Sequence, residues 1–73
     1  MKIQMHSTTK IIEINDVPAR IWEGVTEGGV ECHVYVTRVS VHKDDDASEF
    51  EKELQEHAPP SVDVQAIPLR LII

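Results

Sequence analysis

The feature that most constrains this chain is the tetrapeptide Glu27-Gly28-Gly29-Val30, a hairpin turn set between two β-rich runs. Adjacent glycines supply the positive φ that tight hairpin turns require, so a two-residue Gly-Gly loop predicts that Glu27 faces Val30. In that register Trp22 faces Tyr35, and the two largest aromatics share a face with Arg20, His33 and Thr37. The opposite face collects Ile21, Val25, Cys32, Val34 and Val36, an aliphatic surface that reads as the core. A sheet divided in this way points to a contact surface, with Arg20, Trp22, His33, Tyr35 and Thr37 as the partner-binding set. Two other fates for the aromatic face stay open: burial between two copies, or beneath the N-terminal segment.

Seventy-three residues make one domain, spanning 1–73, with a small core. Chains of this size often lean on a staple, and the single Cys32 excludes an internal disulfide. On the inward face of a strand, Cys32 reads as a small core hydrophobe rather than a nucleophile. Association of two copies is the staple that remains, and a homodimer is expected. Thirteen acidic residues against seven Lys and Arg give a net charge of −6. That field argues against direct nucleic-acid binding and against an anionic membrane surface, and it favours basic partners. No apolar run is long enough for a signal-peptide core or a membrane span, so a cytoplasmic protein is expected.

Thr8 to Ile14 is β-branched and ends at the turn signal Asn15-Asp16, reinforced by Pro18. Met1 to His6 alternates only weakly, and either extends this first strand or frays. With Pro18 inside the turn, Ile14 pairs with Ala19 and Lys10 with Glu23; a shorter Asn15-Asp16 loop leaves the facing unchanged. Either way Ile12 and Ile14 lie on the side of Ala19, Ile21 and Val25. The second strand covers about Ala19 to Thr26 and the third about Val30 to Val41. Apolar residues of the third strand change phase at Thr37-Arg38, which marks either a β-bulge or the end of the sheet. Asp46, with Glu49 three residues on, has the form of a helix N-cap and capping box. The helix it opens carries Ala47, Phe50, Leu54 and Ala58 on one face, directed at Ile12, Ile21, Val34 and Val36, and ends at Pro59-Pro60. Val62 to Ile73 reads as a final strand with Pro68 at a slip in phase, an edge that a second copy could cover. The expected fold is α+β, in the order βββαβ: a three-stranded antiparallel meander, one acidic amphipathic helix and a C-terminal strand.

Residues that could carry chemistry are dispersed. Cys32 and His33 point to opposite faces of a strand and cannot share an ion, and none of the common zinc spacings occurs. His42 with Asp44 or Asp46 could meet a divalent ion at the sheet edge, although solvated loop residues explain them more simply. The serines lack a nucleophile-elbow context, Glu13 and Glu23 fall on opposite faces, and no helix start follows the glycines to make a phosphate cradle. No enzyme, metal or cofactor is expected. The acidic surface of Asp44, Asp45, Asp46, Glu49, Glu53 and Glu56 offers an alternative function. Over a stretch about 20 Å long its charge density approaches that of a phosphate track, suiting a DNA mimic that occupies a basic nucleic-acid-binding protein.

Val17-Pro18-Ala19-Arg20-Ile21-Trp22-Glu23-Gly24, His33 to Val39, Ser48 to Leu54 and Ile67 to Ile73 resemble small proteins encoded in bacteriophage and prophage genomes. The resemblance includes no motif with known chemistry and transfers no functional residue. It implies a setting in the host bacterial cytoplasm, where such proteins often modulate one host protein, as inhibitors of CRISPR effectors and other defences do. The functional expectation is therefore a small acidic, non-catalytic binding protein that modulates or inhibits a host protein. A DNA-mimic inhibitor acting through the acidic helix and a self-assembling structural homo-oligomer are the alternatives.

Overall fold

The computed structural model describes residues 1–44 and 46–73. Its elements are β1 (Ile3–Ile14), β2 (Val17–Thr26), β3 (Glu31–Val36), α1 (Ala47–Glu53), α2 (Val62–Gln65) and β4 (Arg70–Leu71). The fold is α+β, and its strands and helices follow the expected βββαβ order with α2 added before the last strand. One sheet has the order β3-β2-β1-β4. The β1-β2-β3 meander is antiparallel, whereas β4 runs parallel to β1, pairing Glu13 with Arg70 and Ile14 with Leu71. The sheet is thus mixed.

The first hairpin closes on Asn15 and Asp16 alone, both in the left-handed region at φ 50° and 68°. Two consecutive positive φ angles give the turn whose twist matches that of the flanking strands. Ile14 therefore pairs with Val17 and Glu13 with Pro18, which places Pro18 within β2. Proline is tolerated here because β3 ends opposite Arg20 and no strand lies beyond to receive a donor from residue 18. Met1 to His6 resolves in favour of extension, since β1 begins at Ile3.

The second hairpin overturns the predicted register. Its loop has three residues, Glu27, Gly28 and Gly29, rather than two. Gly29 N donates to the Thr26 carbonyl at 2.9 Å, Gly29 alone has positive φ (87°), and Thr26 N donates to the Val30 carbonyl at 2.9 Å. This is a turn followed by a left-handed glycine bulge. Trp22 consequently pairs with Val34, and Tyr35 with Ile21. A slip of one residue moves every side chain of β3 to the other face. Trp22 and Tyr35 do not share a face: Arg20 and Trp22 stand with Cys32, Val34 and Val36, while His33 and Tyr35 stand with Ile21. Cys32 is half-buried rather than part of the core.

The core consists of Ile12, Ala19, Ile21 and Val64, with Ile14, Ile67 and Leu71 packed at its margin. Val64 belongs to the segment expected to be strand. Ser61 caps α2 by accepting from Val64 N at 3.3 Å, and at the other end Lys10 Nζ donates to the carbonyls of Gln65, the last helical residue, and Ile67 at 2.8 and 2.6 Å. Lys10 is thus a helix-end clamp instead of the cross-strand partner of Glu23. Its strand position is displaced by a bulge: three residues, Thr8, Thr9 and Lys10, lie opposite Ile21 alone. Thr8 is fully buried there, its hydroxyl donating to the Ile21 carbonyl at 2.8 Å.

Asp46 caps α1 as predicted, accepting from Ser48 N at 2.9 Å and from the Ser48 hydroxyl at 2.7 Å. The helix itself is shorter than its apolar spacing suggests, ending at Glu53 with no buried residue. It does not pack on Ile12 and Ile21; α2 takes that position. At Thr37-Arg38 the sheet simply stops, β3 ending at Val36.

Candidate binding groove

The face of the sheet opposite the core forms one wall of an open groove of about 570 Å³. Arg20, Trp22 and Val36 rise from β2 and β3, Arg38 stands two residues beyond the end of β3, and Phe50 of α1 and Leu54 at its C-cap approach from the other side. Alternation along β2 sends Trp22 to this side because Ile21 is taken by the core. The result is an aromatic and aliphatic floor with two guanidinium groups. Arg20 is held in place by a bond from Nη1 to the Thr8 carbonyl at 2.9 Å. Neither arginine has a carboxylate within ion-pair distance among the described residues.

Ser7 and His57 also line the groove and form a side-chain pair. Ser7 Oγ lies 3.0 Å from the Glu56 carbonyl and 2.7 Å from His57 Nδ1. A hydroxyl has one proton: given to the Glu56 carbonyl, it leaves the oxygen to accept from Nδ1–H of His57. In that arrangement His57 Nδ1 is committed to the Ser7 hydroxyl. The pair ties β1 to the segment after α1, together with Ala58 N donating to the Ser7 carbonyl at 2.9 Å and Thr9 N to the Ala58 carbonyl at 3.1 Å. Sequence spacing alone could not join residues 50 positions apart.

Of the predicted binding set, Arg20, Trp22 and Thr37 line the groove, while His33 and Tyr35 lie on the core side of the sheet. There His33 forms one end of a row, His6-Glu23-His33, across β1, β2 and β3. Glu23 accepts from Ser61 N at 3.2 Å. Hydrogen bonding from Ser61 holds its carboxyl below the ordinary range; partial desolvation opposes this, and His6 and His33 contribute in the same direction as Ser61.

The acidic surface is divided. Asp46 is committed to capping, with its carboxyl lowered by the Ser48 bonds, and Asp44 lies 3.8 Å from His42. Glu49 and Glu53 are on α1, whereas Glu56 lies beyond it, and Asp45 is outside the described residues. A seven-residue helix is about 10 Å long, half the continuous acidic track expected from sequence. No group of three or more His, Cys, Asp and Glu among the described residues has the arrangement to hold a metal ion. No helix among them is long and apolar enough to cross a membrane.

Comparison of the chain with protein-family models, with curated proteins and with solved structures found no match.

Proposed function

We propose that this is a non-catalytic binding protein that seats an apolar side chain of a partner protein between Trp22 and Phe50. The observation that carries the reading is the groove itself: an aromatic-floored recess with Arg20 held in place and Arg38 beside it, on a sheet face that the core does not use. Aromatic side chains beside arginine are the groups that most often dominate the energetics of an interface. Ser7 and His57, which also line the groove, are engaged in holding the segment after α1. Following the resemblance to small phage and prophage proteins, the partner is a host protein whose activity is modulated on binding. The net charge of −6 favours a basic surface around the apolar anchor.

The test is capture from a bacterial lysate with the parent protein and Phe50→Ala as parallel baits. Phe50 is half-buried and lies outside the core, so Phe50→Ala should keep the fold, which far-UV circular dichroism checks. A protein held by the parent and lost from the variant supports the groove, and reciprocal mutation of its apolar anchor should abolish binding. A partner retained equally by both baits rejects it.

A further inference from the structure

The long open edge of the sheet is β3, to which nothing pairs among the described residues. At the other end, β4 is only two residues long, and the chain beyond it is clamped by Asn15, whose Nδ2 donates to the Ile73 carbonyl at 3.2 Å and whose Oδ1 accepts from Ile73 N at 3.0 Å. The outer side of β1 receives Ala58 and Leu69 as well as Leu71. The edge of β3 has no such cover. Since Thr26 N donates to the Val30 carbonyl, ladder alternation makes Gly24–Cys32, Trp22–Val34 and Arg20–Val36 the bonded pairs. The backbone N–H and C=O groups of Glu31, His33 and Tyr35 therefore point away from β2. Glu31 to Val36 contains no proline, lysine or bulge, the usual devices that discourage edge pairing.

We propose that a second copy of this chain occupies the edge, with two β3 strands pairing antiparallel about a two-fold axis between their Val34 residues. Outward-pointing groups can bond only to outward-pointing groups, which restricts a symmetric pairing to a few registers. With Val34 opposite itself, Cys32 lies opposite Val36 and His33 opposite Tyr35, and the outward groups of His33 and Tyr35 are used on both copies. Centring on His33 instead sets two histidines against each other and runs the strand into the Gly29 turn. The chosen register continues the aliphatic row of Cys32, Val34 and Val36 across the dimer. Surface area argues for the same occupant. The chain exposes 5762 Å², against about 4600 Å² for a compact monomer of its mass, an excess comparable to the roughly 800 Å² that each partner buries in a standard interface.

Sedimentation velocity over a wide concentration range, with parent and His33→Pro, tests the proposal. The His33 N–H faces outward, so proline removes a bond to the second copy and none to β2. The parent should pass from one-chain to two-chain mass as concentration rises, and the variant should stay at one. Amide exchange adds a readout that does not depend on the variant's folding: His33 and Tyr35 amides of the parent should gain protection at concentrations where mass doubles. In a Cys32→Ser background, Val34→Cys should cross-link two copies on oxidation, because directly opposed, non-bonded positions bring Cβ atoms close. One-chain mass at every concentration, a dimer in which these amides stay unprotected, or failure of Val34→Cys to cross-link a populated dimer overturns the proposal.

Discussion

Single backbone conformations decide which face each strand presents. Gly29 at φ 87° has nothing within 4 Å of where a Cβ would stand, so an alanine there meets only its own backbone. Gly29→Ala should cost about 1 kcal/mol in chemical denaturation, and Gly29→Asn less. Asp16 presents the converse case: it holds φ 68° with a side chain, and Asp16→Gly should raise stability by about 1 kcal/mol, since Asn-Gly is the preferred pair for this turn. Gly24 has a different basis, close approach, because a Cβ would lie 2.8 Å from Ile3 Cγ2 and 2.9 Å from Met5 Cβ. Glu23 links pH to the fold. Its folded-state pKa is depressed, chiefly by Ser61, so its stabilising effect is complete above the unfolded value of about 4.3 and is lost as pH falls through the lower folded value. Denaturation of Glu23→Gln should differ most from the parent above about pH 5 and converge with it in acid. A parent–variant difference that does not change with pH would show the Ser61 contact to be energetically idle.

At the scale of elements, the two helices have unequal roles that hydrophobic content does not foretell. The four-residue α2 supplies a fully buried core side chain, whereas the seven-residue α1 supplies none. Val64→Ala should therefore destabilise by about 2 kcal/mol, through lost transfer energy and an unfilled space beside Ile12 and Ile21, while Phe50→Ala, at a half-buried position, should cost about 1 kcal/mol. Thermal melting of the pair gives the comparison directly. α2 persists despite its length because Ser61 closes its start and Lys10 its end, both anchored to the sheet through Glu23 and the β1 bulge. Lys10→Met should loosen α2 without disturbing the β1-β2 ladder, visible as faster amide exchange confined to residues 64–67. The predicted pairing of Lys10 with Glu23 missed this because a bulge cannot be located from alternation when consecutive residues Ser7, Thr8, Thr9 and Lys10 are all compatible with either face.

For the whole molecule, extent is as informative as packing. The radius of gyration is 13.4 Å, against about 11 Å for a compact chain of this length. Long strands with a core on only one face account for the difference, as does the segment from Thr37 to Lys43 outside any helix or strand. Val39, Val41, Leu69, Ile72 and Ile73 remain exposed. Amide exchange should accordingly divide the chain, with β1 and β2 most protected and α1 opening well before global unfolding. The groove and the open β3 edge belong to this same scale, since each exists only where elements distant in sequence meet or fail to meet.

Residue chemistry by itself determined the α+β class, the βββαβ order, the Asp46 cap and the placing of Ile12, Ala19 and Ile21 on one face. Each rests on near neighbours: β-branched runs, a short polar side chain before a helix, and alternation within one hairpin. The register of β3 rests on whether a glycine pair forms a loop of two residues or three, a choice of small local energy that reverses a whole strand. Packing settled it, and with it the separation of Trp22 from Tyr35. The strand-like pattern of Val62 to Ala66 yielded similarly to a helical turn, because a capped Val64 fills the core where the helix expected from Phe50 and Leu54 does not reach. Local sequence preferences chose the elements; competition for one small buried volume chose which side chains were left to face a partner.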